Sequence, residues 1–145
     1  MTPQIVEISA ADTHELRRSV LRFDTPTKEV VFPEDELPGS WHLGARQDGE
    51  LVATSSWVPR AHDGQPAVQL RGMATHRALQ GSGIGGVLLE RGCALAAERG
   101  FTLVWARARD TAVPFYERHG FVTEGDGFVD EATQLPHHLV VRILG

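Results

Sequence analysis

Residues 70–86 read LRGMATHRALQGSGIGG, and the reading of this stretch decides the fold. Residues 70–75 have the pattern of a strand end. Gly81, Gly83, Gly85 and Gly86 then make a turn, and the segment from Val87 has the pattern of a helix. Strand, glycine turn and helix together are a physical recipe for holding phosphate. Glycine lets backbone come close to a ligand. The free N–H groups of the first helical turn point at that ligand, and the helix dipole favours its negative charge.

The neighbouring segments build a sheet around this unit. Residues 83–99 read as the central helix, with Ile84, Leu88 and Leu95 on one side and Gly100 as its stop. Gly92 inside it costs about 1 kcal/mol against alanine and suits a helix lying close to a sheet. Residues 101–106 are nearly all apolar, as in a strand buried on both faces. A right-handed crossover then sets them parallel to the strand of residues 67–75. Upstream, residues 41–46 and 51–58 flank an Asp48-Gly49 turn, the clearest hairpin signal in the chain. A second turn at residues 62–66 makes residues 67–75 the third antiparallel strand.

The ends are read in the same way. Residues 4–9 form a short strand. Residues 10–23 form a helix, with Leu16, Val20 and Phe23 at helical spacing and Asp12 near its start. Residues 24–40, rich in proline and acid, are a loop with room for a helical turn. Residues 110–119 form a short helix ended by Gly120, and residues 121–129 and 138–144 are closing strands. There is no repeat and no low-complexity tract, so residues 1–145 are expected to be one domain. The fold class is α+β: an antiparallel N-terminal half, one βαβ unit and a final hairpin-like pair.

Composition narrows the partners. There are 14 Lys and Arg against 19 Asp and Glu, a net charge of −5 with no basic run. That argues against nucleic acid and against anionic membranes. The acid-rich loop at Glu34–Glu36 points to a cationic acceptor. Cys93 is the one cysteine, so no internal disulfide can form. Its simplest role is a small buried apolar residue. The N-terminus has no secretory pattern and no apolar run is long enough to span a bilayer, so a cytoplasmic location is expected.

The glycine turn alone admits several ligands. Gly81, Gly83 and Gly86 fit the dinucleotide pattern GxGxxG, but hairpin strands precede them and the next strand ends in Trp105-Ala106-Arg107, with no acid for a ribose. The Gly-Lys-Ser/Thr of a P-loop is absent. The flanks are more specific. Gln80-Gly81-Ser82-Gly83-Ile84-Gly85 matches Arg/Gln-x-x-Gly-x-Gly/Ala at a strand-to-helix junction. Residues 112–121, AVPFYERHGF, match A-x-x-F/L-Y-E-x-x-G-F. The two at this spacing resemble the GNAT N-acetyltransferase family. The resemblance covers most of the chain. Leu70–Thr75, Ala108-Arg109 and Pro136-His137 look like an uncharacterised bacterial branch of it.

That resemblance implies a mixed, mostly antiparallel sheet flanked by helices, with two parallel strands splayed apart. It implies acetyl-CoA as co-substrate, no metal, and a small-molecule or peptide amine as acceptor; a homodimer is compatible with it. The cofactor-binding residues it implies are Gln80, Gly81, Ser82, Gly83, Ile84, Gly85 and Gly86 for the pyrophosphate, and Met73, Ala74 and Thr75 for the pantetheine arm. Gly72 suits a bulge in that strand, with the Met73 N–H facing the thioester oxygen. Arg109 stands where the family often has asparagine and is assigned to the cofactor phosphate or pantetheine. Arg71 and Arg107 flank the cleft. The acceptor would be shaped by residues 10–40 and 125–138.

Tyr116, the only tyrosine, aligns with the family's general acid. A phenol at about 10 against a thiol at about 8.5 makes its help useful rather than indispensable. For the base, the sequence offers Glu34, Asp35, Asp130, Glu131 and the pair His137-His138 without choosing between them. The expected function is acetyl transfer to an amine; the alternative is a catalytically inactive acyl-CoA-binding module.

Overall fold

The computed structural model describes residues 2–145. Seven strands form one sheet in the order β1-β2-β3-β4-β5-β7-β6. They are β1 (Gln4–Ile8), β2 (Trp41–Gln47), β3 (Glu50–Pro59), β4 (Val68–Thr75), β5 (Leu103–Arg109), β6 (Val122–Val129) and β7 (Pro136–Ile143). Every neighbouring pair is antiparallel except β4 and β5. Three helical elements cover it: α1 (residues 11–21), α2 (Ile84–Glu98) and α3 (Val113–Arg118).

Local chemistry explains the N-terminal half. Asp48 and Gly49 both take positive φ, 53° and 81°, joining Gln47 to Glu50 in a two-residue turn. Asp63 and Gly64 repeat this at φ 50° and 75°, within the His62–Gln65 bridge. The core lies between this sheet and α2. Trp57 on β3 is fully buried and stacks on Trp41, centroids 6.2 Å apart. A Cβ on Gly92 of α2 would stand 1.8 Å from the Trp57 ring, so glycine is what lets helix and sheet meet.

The other face of β3 carries polar groups. Arg17 of α1, fully buried, donates from Nη1 and Nη2 to the two carboxylate oxygens of Asp35 at 2.8 and 2.9 Å. It also donates to the Val30 carbonyl and to Ser56 Oγ of β3. This network fastens α1 and the turn Pro33–Glu36 to the sheet.

Three expectations are corrected. The helix expected over residues 10–23 is broken into a 3₁₀ turn at Ala11–Thr13, one α turn at His14–Leu16 and a π turn at Arg17–Leu21. It ends at Leu21, whose free carbonyl accepts from Arg109 Nη2 at 2.6 Å, and exposed Phe23 lies under the Arg77 guanidinium instead of in the core. The strand expected to be buried on both faces is so at Leu103 and Val104 but not along its whole length. Trp105 is partly covered by the His62 ring at 5.2 Å and Arg107 is exposed. Finally, β7 begins at Pro136, which brings His137 onto the strand opposite Arg109.

The feature that positions the site is the parallel pair. β4 and β5 are joined only at Val68–Val104 and Gln69–Trp105. Beyond that point they diverge. On its other side β4 bulges: Arg71 pairs with Ser56 and Ala74 with Thr54, leaving Gly72 and Met73 opposite Ser55. Gly72 takes φ 59°, a conformation costly for other residues.

Candidate active site

Two cavities flank the gap between β4 and β5, and they share part of their lining. The larger, about 910 Å³, runs along the glycine loop and α3. The smaller, about 210 Å³, lies among the end of α1, Phe32, β4, β5 and the segment between β6 and β7. Met73, Ala112 and Tyr116 line both.

The wall of the larger groove is made of backbone. Gly83 caps α2 at φ 94°, with nothing within 4 Å of where a Cβ would stand. The first bond of this turn is Val87 N–H to the Gly83 carbonyl. The N–H groups of Ile84, Gly85 and Gly86 therefore have no helical acceptor, as at any helix start. Gly81 and Gly83 N–H groups likewise donate to no acceptor among the described residues. Phe115, Arg118, His119 and Glu90 complete the groove. Glu90 is held below its ordinary value: burial pushes it up, and bonds from His119 and Arg142 outweigh that.

Tyr116 sits at the junction, 6% exposed, edge-on to Phe115 and Phe121. Burial pushes its phenol well above the ordinary tyrosine value, so it stays protonated. Its hydroxyl forms no hydrogen bond with another described residue.

Of the residues expected to hold the cofactor, Met73, Thr75, Gln80, Gly81, Gly83, Gly85 and Gly86 line the larger groove. Ala74 is buried and paired with Thr54. The Ser82 hydroxyl turns back to the Leu79 carbonyl, and the Ile84 side chain is in the core. Arg109 is on the other side of the gap. It lines the smaller cavity, with Nη2 on the Leu21 carbonyl and Nη1 3.6 Å from Asp24.

The candidate bases separate clearly. Asp35 is locked on Arg17, and Glu34 stands 3.7 Å from Arg71. Glu34 and Asp35 are thus turned toward arginines, and Glu36 is exposed. Asp130 lines the smaller cavity, but burial, which would raise it, is outweighed by Arg107 at 2.8 Å and by Thr133, and it lies at about 2. Glu131 is exposed and lines neither cavity. His138 points away, its Nδ1 2.7 Å from Asp110. His137 points in. It is 5% exposed, stacks on Phe128, and its Nδ1 lies 2.8 Å from the Leu135 carbonyl. A carbonyl only accepts, so Nδ1 carries the hydrogen and Nε2 of the neutral ring keeps its lone pair.

Sequence reasoning missed Arg22 and Phe32 of the smaller cavity, and Arg118 and His119 of the groove. The last two follow the Phe115-Tyr116 motif by one helical turn and could have been found by that spacing. Arg22 and Phe32 lie in an irregular segment with no periodic signal.

Comparison with known proteins agrees with this geometry. The profile of the Acetyltransferase (GNAT) family matches residues 6–121. The uncharacterized N-acetyltransferase YitI of Bacillus subtilis (strain 168) is 31% identical over 144 residues, covering 95% of this chain and 93% of that one. The crystal structure of an acyl-CoA N-acyltransferase from Pseudomonas aeruginosa superposes with a TM-score of 0.80 at 25% identity, covering 97% of this chain and 99% of that one. An aminoglycoside 6′-N-acetyltransferase crystallised with coenzyme A shares the fold, with a TM-score of 0.79 at 15% identity over 98% of this chain and 97% of that one. With its mixed sheet, its one splayed parallel pair and a glycine loop opening α2, the chain belongs to the Acetyltransferase (GNAT) family.

Proposed function

We propose that this protein transfers the acetyl group of acetyl-CoA to the amine of an acceptor by direct attack. The observation that carries the reading is the pair of cavities that share Met73 and Tyr116 in their walls, one of them walled by unpaired backbone N–H groups.

In this reading the N–H groups of Gly81, Gly83, Gly85 and Gly86 take the pyrophosphate, where the α2 dipole adds to their charge. β4 beyond Gln69 is free of β5. Its main chain from Met73 to Thr75 can therefore pair with the amides of the pantetheine arm. The extra residue of the bulge aims the Met73 N–H at the carbonyl oxygen that gains charge during attack. Such a preorganised donor is worth about 2.7–4 kcal/mol.

The acceptor enters from the smaller cavity. His137 Nε2 takes a proton from its ammonium group, directly or through water. The amine nitrogen forms the C–N bond, the C–S bond breaks, and the electron pair leaves on sulfur. A buried phenol is a weaker acid than a thiol at about 8.5. Tyr116 therefore acts by donating a hydrogen bond to the departing thiolate, and the thiol proton derives from the attacking amine.

A thermal-shift titration with acetyl-CoA, followed by thiol release across an amine panel, tests the reading. Cys93 does not interfere: burial pushes its thiol up to about 11 and it is 2% exposed. Stabilisation with thiol release is expected. Stabilisation without release from any amine would instead fit an acyl-CoA-binding module, and no stabilisation would refute both.

A further inference from the structure

The smaller cavity is crowded with guanidinium groups. Arg22, Arg71, Arg107 and Arg109 line it, with Asp130 as the one carboxylate in its wall. Arg107 is paired with that Asp130 at 2.8 Å, and Arg109 is held by the Leu21 carbonyl with Asp24 behind it. Arg22 and Arg71 are different. Arg22 has no carboxylate within 4.0 Å among the described residues; it donates only to the backbone carbonyls of Glu29 and Leu21. Arg71 meets Glu34 only at 3.7 Å, longer than a hydrogen bond, and its Nε is buried with no acceptor.

Both groups lie against the Phe32 ring, which also carries Arg17 at 3.9 Å. The guanidinium carbons of Arg22 and Arg71 lie 5.2 and 5.1 Å from its centroid, within the range of cation–π attraction. Burial lowers both groups below the ordinary arginine value, and Arg22 is lowered further by Arg109 and Arg71. Neutralising charge near them would relieve this crowding. Guanidinium forks match carboxylate and phosphate geometry.

The same cavity reaches Met73, Tyr116 and His137, where the amine would react. At about 210 Å³ it is below the roughly 300–1,000 Å³ of ordinary ligand pockets, so the amine and its anionic group lie close together. Resting on the transferase reading above, we propose that the acceptor is a small primary amine that also carries an oxyanion, a carboxylate or a phosphate, held by Arg22 and Arg71 while the amine faces His137. The net charge of −5 and the acidic loop pointed the other way; two of the loop's acids, Asp35 and Glu34, turn out to face Arg17 and Arg71.

The test compares matched amines with the intact protein and acetyl-CoA: L-amino acids, their carboxamides, the decarboxylated amines, and phosphoethanolamine against ethanolamine. At least one oxyanion-bearing amine should exceed its neutral partner about 10-fold in kcat/KM. Arg22→Gln and Arg71→Gln should each reduce that preference about 10-fold through KM. Preference for amino acids identifies carboxylate, and preference for phosphoethanolamine identifies phosphate. Neutral amines acetylated as well as the anionic ones would overturn the inference while leaving the transferase intact. If no amine releases thiol, the N-acetyl amino acids and N-acetyl amino amides are compared by thermal shift with CoA present. A larger shift with the acids upholds the anion-binding cavity, and equal or absent shifts overturn it.

Discussion

Asp35→Asn isolates the contact that ties α1 to the turn Pro33–Glu36. Asp35 accepts two bonds from a guanidinium that is fully buried, and its own side chain is 3% exposed. Asparagine keeps the shape and removes the charge, which strands the Arg17 cation in the interior. Breaking a buried pair from one side costs about 3–5 kcal/mol. The lower end applies here, because Val30 and Ser56 still accept from Arg17. With an unfolding entropy of about 2.1 cal/mol/K per residue, 145 residues give about 0.30 kcal/mol/K, so about 3 kcal/mol lowers Tm by about 10 °C.

The effect has a signature in pH. Burial alone would raise the Asp35 carboxyl, but the bonds and charge of Arg17 outweigh it and hold it below its ordinary value. A depressed folded-state value stabilises above the unfolded value of about 3.9, and that stability is lost as pH falls through the folded value. The gap between parent and variant should therefore be full at neutral pH and close as pH falls below about 4. The site should respond too. A Cβ on Gly72 would lie 2.9 Å from Arg17 Nε, so Arg17 backs the bulge that aims Met73. Scanning calorimetry from pH 3 to 8 and kcat at 25 °C measure both effects. A Tm loss under about 3 °C, or a gap that does not narrow in acid, would refute this account of the pair.

Three further outcomes are expected. Gly83→Val forces a β-branched residue to φ 94°, which costs about 1–2 kcal/mol, and places bulk at the groove wall; calorimetric titration should find a folded protein with CoA affinity reduced at least about 10-fold. Tyr116→Phe removes one hydrogen bond to a charged sulfur, worth about 1.5–3 kcal/mol, so kcat should fall about 10–100-fold with CoA affinity unchanged; full activity removes Tyr116 from the mechanism. His137→Gln should slow turnover about 100-fold with CoA affinity unchanged; unchanged turnover assigns the proton transfer elsewhere.

Much of this architecture is written in short stretches of sequence. The Asp48-Gly49 turn takes the positive φ that an L-residue–glycine pair tolerates, and the hairpin follows from two residues. Gly83 likewise marks the start of α2, and Gly92 announces its close approach to the sheet. These are local backbone constraints, and one glycine states each of them. The irregular α1 shows where that legibility ends. Leu16, Val20 and Phe23 have helical spacing, but the helix ends at Leu21 and Phe23 lies exposed against Arg77.

The glycine loop and the Phe115-Tyr116 helix are therefore legible in the sequence, because each is a contiguous motif. The other half of the cleft is not. Its charge is set by side chains from an irregular helix, a loop, two strands and the turn before β7, which come together only in three dimensions. Glu34 and Asp35 read as an acidic loop in one dimension; folding turns them onto Arg71 and Arg17 and leaves Arg22 facing the cavity without a carboxylate. His137 and His138 are equivalent on paper. The pleat of β7 sends one to the Leu135 carbonyl at the cavity wall and the other to Asp110, because successive residues of a strand face opposite sides of its sheet.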